Sequence, residues 1–124
     1  MTTESDALPD DADNDHSMII LSVTVFSEDR IDGLAIFEVP SENGVFRYDV
    51  AHVDFEERDG NRRADVLNDT LNENIARLVP MAEALHAPGV WVRFFLTLPH
   101  GAETIAAETV RGLASVNATL WIDA

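Results

Sequence analysis

Cysteine and lysine are both absent from this chain, and no apolar stretch in it is long. Without cysteine there are no disulfides, no thiolate zinc sites and no cysteine nucleophiles. Without lysine, all eight basic residues are arginine, and they face 23 acids for a formal charge of −15. That balance opposes direct binding to nucleic acid or to anionic lipid. It has a second reading, because a salt-adapted proteome is acidic and poor in lysine, and net charge speaks to solubility before it speaks to task. The longest hydrophobic run, Val90 to Leu98, carries Arg93 inside it and is far too short to cross a bilayer. Residues 1–17 offer neither the positive start nor the apolar stretch of a secretory signal, so a cytoplasmic protein is expected.

At 124 residues and 13.7 kDa the chain is the size of one domain, with 46% hydrophobic residues to build a core. Residues 1–17 hold six acids (Glu4, Asp6, Asp10, Asp11, Asp13, Asp15), no base, and only Met1 and Leu8 as large apolar side chains. Such a stretch cannot offset its ordering entropy, which predicts a disordered tail followed by a single domain over 18–124. The tail takes 6 of the 23 acids and none of the bases. The remaining body therefore holds 17 acids against 8 arginines, a formal −9.

In that body Ile19, Leu21, Val23 and Val25 alternate with Ile20, Ser22 and Thr24, the period of a half-buried strand. A second strand is expected over 31–39, ending at Pro40, with Asn43-Gly44 supplying the positive φ of a hairpin. The returning strand shows Phe46, Tyr48 and Val50 on one phase and Ala51, Val53 and Phe55 on the other. That switch predicts a bulge near Asp49 to Ala51. Leu67, Leu71, Ile75, Leu78, Ala82 and Leu85 recur at helical spacing, and Pro80 either kinks that helix or splits it. Val90 to Leu98, apolar on both phases, reads as a central strand covered on two sides. A helix over 103–114 with Ile105, Ala106, Val110 and Leu113 inward, and a last strand over 116–122 set inside the sheet, complete the order β-β-β-α-β-α-β. The expected fold is α+β: a mixed sheet of about five strands, an antiparallel hairpin at its start, two helices packed on it, and a final parallel crossover.

From Asp65 to Asp123 the pattern resembles the uncharacterised family called domain of unknown function 4279. The residues that carry the likeness are the helix of Leu71, Ile75, Leu78 and Leu85, the strand Trp91 to Leu98, the short helix with Leu113, and Leu120-Trp121-Ile122-Asp123. The resemblance implies a compact α+β domain and an association with bacterial toxin–immunity or regulatory contexts.

Three constellations bear on function. His52, Asp54 and Glu56 alternate on one predicted strand, so they share a face about 7 Å apart, and an imidazole with two carboxylates suits a divalent metal or proton transfer. A strand with one wet face has the same appearance. Asp65, Asp69 and Glu73 lie four residues apart, a row of carboxylates at about 6 Å intervals on one helix face. Together with Asp54, Glu56, Glu57 and Asp59 they form the candidate partner-binding set. A solvated helix face is the competing reading, and Arg58, Arg62 and Arg63 interrupt the row. Trp91 and Trp121 fall on strand phases that could share one sheet surface, either as core or as an exposed anchor pair. His100-Gly101 precedes a helix, a place where amides can hold an anion, and His86 closes the long helix.

The sequence thus predicts a non-enzymatic acidic module, inhibitor-like or immunity-protein-like, that binds a protein with a basic surface and needs no cofactor. One alternative is a nucleic-acid mimic that blocks a DNA- or RNA-binding enzyme. Another is a small metal-dependent enzyme built on His52, Asp54 and Glu56. Oligomeric state is left open by the residues alone.

Overall fold

A computed structural model describes residues 18–99 and 103–123; the predicted tail over 1–17 and the His100-Gly101 pair lie outside the described residues. The elements are β1 (Met18–Ser27), a 3-10 turn (Asp32–Phe37), β2 (Glu38–Val39), β3 (Phe46–Glu56) and α1 (Gly60–Leu78). A second 3-10 turn (Val79–Met81), the one-turn helix α2 (Ala82–Leu85), β4 (Val90–Thr97), α3 (Ala107–Ser115) and β5 (Ala118–Asp123) follow. The fold is α+β, as the patterning predicts. No helix is long and apolar enough to cross a membrane among the described residues.

The strands form one sheet in the order β2-β3-β1-β4-β5. Its pairs β2–β3, β3–β1 and β1–β4 are antiparallel, and β4–β5 is the parallel pair made by the crossover through α3. Between β1 and β3 the register slips after Val23, which pairs with Ala51 while Thr24 pairs with Asp49. The extra residue is Val50, so the phase switch in the sequence is a bulge. Asn43 and Gly44 both take positive φ (65° and 74°) in the β2–β3 connection, as an Asn-Gly turn requires.

The described α-helices lie on one side of this sheet. Ile19, Leu21, Val23 and Val25 from β1 and Val92, Phe94 and Leu96 from β4 form a single core with Leu67, Leu71, Ile75 and Leu78 of α1, Leu85 of α2 and Leu113 of α3. Burial of each such side chain contributes about 1.5–3 kcal/mol, which is what holds the helices down. α1 is capped at its start by Asp59, whose carboxylate accepts from the Asn61 amide. Pro80 splits the long helix rather than kinking it: α1 stops at Leu78 and a 3-10 turn carries the chain into α2.

Five expectations are corrected. The strand expected over 31–39 is mostly a 3-10 turn, with only Glu38 and Val39 in the sheet. The turn buries Leu34 completely and leaves Ile36 88% exposed, so the apolar run is not strand-like in burial. α3 begins at Ala107 rather than 103, because Asn68 of α1 donates to the Thr104 carbonyl and accepts from the Ala106 amide, holding that approach extended. Thr109 and Leu113 are its buried residues, while Val110 faces out. β5 is an edge strand, not an interior one, and β4 is covered on one side only.

Tyr48 anchors the 3-10 turn. It is fully buried and its hydroxyl accepts from the Ile31 amide at 2.7 Å. Tyr48→Phe leaves that amide without its acceptor at nearly unchanged volume, so a loss of about 1–1.5 kcal/mol is expected in urea denaturation.

Candidate functional site

Among the described residues the far side of the sheet carries no α-helix, and its side chains can be read row by row from the register. From β3 through β1 and β4 to β5 the rows are Asp54, Ile20, Thr97, Asp123; His52, Ser22, Phe95, Trp121; and Asp49, Thr24, Arg93, Thr119. A last row holds Arg47, Phe26 and Trp91. The face is therefore divided. Its β3 column is ionic, and its β4 and β5 columns are aromatic around one arginine.

Trp91 and Trp121 are each 52% exposed. Between them lies Arg93, with its guanidinium carbon 5.1 Å from the Phe26 ring centroid and 5.6 Å from that of Trp121. Two aromatic rings flank the cation, each contact adding about 0.5–2 kcal/mol according to its desolvation. Arg93 forms no ion pair with the described residues, and its Nε is buried without a partner. In a body so rich in acids, Arg93 is flanked by aromatic rings and has no carboxylate partner among the described residues. Large apolar side chains kept in water on a sheet face mark interaction sites.

The other predicted residues sort by position. His52, Asp54 and Glu56 do share the open face of β3, and the His52 Nδ1 lies 2.9 Å from the Ser22 hydroxyl. Among the described residues no three imidazole or carboxylate groups come together to hold a metal ion. A surface cavity of about 480 Å³ adjoins His52 and is lined also by Ser22, Thr24, Phe37 and Asp49. Among the described residues no third group bonds His52 to orient it, as an activated nucleophile needs. Glu56 pairs with Arg58 at 2.9 Å, and Glu57 lies 3.7 Å from Arg62. Asp59 is the helix cap. His86 donates from Nε2 to the Ser115 carbonyl at 3.1 Å, and Asn117, at φ 60°, donates to the Leu85 carbonyl at 2.8 Å; these contacts tie α2 to the end of α3.

Asp65, Asp69 and Glu73 are exposed on the side of α1 opposite Leu67, Leu71, Ile75 and Leu78. They therefore point away from the sheet, while Asp54 and Glu56 stand on its open face. The seven-acid set is not one surface. No known protein family, curated protein or solved structure matches the chain.

The sequence placed the two tryptophans on one surface and missed the residues that make it a site, Arg93 and Phe26. The signal was present in Trp91-Val92-Arg93-Phe94-Phe95: an arginine in phase with Trp91 argues that this phase is not sealed in a core.

Proposed function

We propose that this chain is a non-enzymatic protein-binding module of the cytoplasm, acting as an inhibitor or immunity protein acts, and that it binds through the open face of its sheet. The observation that carries this reading is the Trp91–Arg93–Trp121 cluster, exposed on a sheet face that no helix covers. Tryptophan and arginine are the residues most enriched among interface anchors. Beside the cluster, the Asp54 carboxylate has no ion-pair partner among the described residues, and the body's formal −9 favours a partner whose surface is basic. Such a partner would dock apolar groups on β4 and β5 and set its cations against β3.

Affinity capture from the native host tests this. A basic protein should be retained at low salt and released as ionic strength rises, because screening weakens the attraction between exposed charges. Trp91→Ala and Arg93→Ala should each weaken its binding by about 30-fold or more, the effect of losing a central anchor. Capture that is empty at low salt, or unchanged in both variants, would rule the proposal out.

A further inference from the structure

β5 leaves one whole side of its hydrogen-bond ladder open: β4 pairs with one edge, and no described strand pairs with the other. Edges of this kind are normally blunted by lysine, proline, a bulge or inward charge. Ala118-Thr119-Leu120-Trp121-Ile122 has neither charge nor proline, and its pairing with β4 is regular throughout. On the opposite edge β2 is only two residues long, and the stretch of β3 it leaves uncovered carries the charges of Asp49, Asp54 and Glu56. On β5, Trp121 stands on the open face and Ile122 on the helix face, and both are half exposed.

We propose that β5 pairs with β5 of a second copy, antiparallel about a two-fold axis through Trp121, joining two sheets into one. An axis normal to the sheet keeps open face with open face, so each residue can oppose only residues of its own face. The register centred on Trp121 sets Trp121 against itself, Leu120 against Ile122 and Thr119 against Asp123. Each pair is complementary: an aromatic pair on the open face, an aliphatic pair on the helix face, and a hydroxyl facing a carboxylate.

Charge selects this place for a second copy. Two copies at −15 repel, and β5 is a stretch where they can approach through five uncharged residues. At this register the two Asp123 side chains are four residues apart along the strands, about 13 Å, beyond the screening length at physiological salt. Each then lies in the row of Thr119 and Arg93 of the other copy, and Arg93, like Arg77 and Arg111, is engaged by no described carboxylate. The dimer would place two aromatic clusters side by side on one continuous face.

The full chain should show a concentration-dependent dimer in sedimentation equilibrium between micromolar and millimolar. The dimer should strengthen between 0.1 and 1 M NaCl, because salt relieves self-repulsion. That sign is opposite to the one expected for a basic partner, so the two proposals fail separately. Trp121→Glu sets two carboxylates face to face and should weaken the dimer at least tenfold. Val79→Glu, the same charge change at an exposed position far from β5, should not. Register is read by cross-linking, since the native chain has no cysteine. Thr119→Cys with Asp123→Cys should yield a covalent dimer on mild oxidation, and Thr119→Cys alone should not. A chain that stays monomeric at both salts, a Trp121→Glu variant that dimerises like the native chain, or equal cross-linking of the single and double cysteine variants would overturn the proposal. A foreign strand captured on β5 of a monomeric chain would overturn it as well.

Discussion

Arg63→Ala is expected to lower stability by about 3–5 kcal/mol, a large part of what a domain of this size possesses. Arg63 sits in the first turn of α1, and its Nε donates to Glu103 at 2.6 Å across 40 residues of sequence. The two side chains are only 15% and 5% exposed, so the pair lies largely out of water. A second guanidinium nitrogen of Arg63 donates to the Glu57 carbonyl at 3.2 Å and to that of Arg58 at 3.3 Å. One cation therefore joins three pieces of chain: the exit of β3, the start of α1 and the approach to α3. Removing it strands the Glu103 carboxylate in a nearly dry place and takes a donor away from the Glu57 and Arg58 carbonyls. The loss is mainly the cost of that stranded charge rather than the worth of the pair. Arg63→Met combined with Glu103→Leu should therefore recover most of the stability lost in Arg63→Ala, because no ion remains to be left unpaired. Chemical denaturation of the two variants beside the native chain decides it. A double variant as unstable as the single one would show that the carbonyl contacts, not the ion pair, hold the junction.

The same junction explains where local patterning stopped being informative. Residues 103–106 look helical in sequence, yet Arg63 and Asn68 hold them extended from a helix 36 to 40 residues earlier. Nothing within reading distance of Thr104 signals this. The turn over 32–37 failed for a related reason: Leu34 and Phe37 lie three apart, which suits a 3-10 turn, but their burial is fixed by Tyr48 holding Ile31 from a distant strand. By contrast β1, the bulge at Val50, the Asn43-Gly44 turn and α1 were legible, because each is written in a period or a local φ requirement. The candidate site was half legible. Strand phase put Trp91 with Trp121, but which face the helices cover is a property of the assembled sheet, and apolar residues on both phases of β4 suggested that both faces were sealed.

Phe94→Ala and Trp91→Ala should differ sharply, although both remove an aromatic ring from β4. Phe94 is fully buried on the helix side, set between Val23 of β1 and Leu120 of β5. Its loss opens a cavity in the core, and a destabilisation of about 3–5 kcal/mol is expected. Trp91 is half in water on the open side, where it pairs with Phe26. Its truncation removes one cross-strand aromatic contact and no core volume, so a loss of about 1 kcal/mol or less follows. The open face needs this contrast to stand as a recognition surface: residues there can be changed with little effect on folding, so any large loss of binding at Trp91 reports on the partner. Thermal or urea unfolding of the two variants gives the answer before any partner is known. If Trp91→Ala proved as damaging as Phe94→Ala, the open face would be part of the folded core, and the aromatic cluster would no longer argue for a binding role.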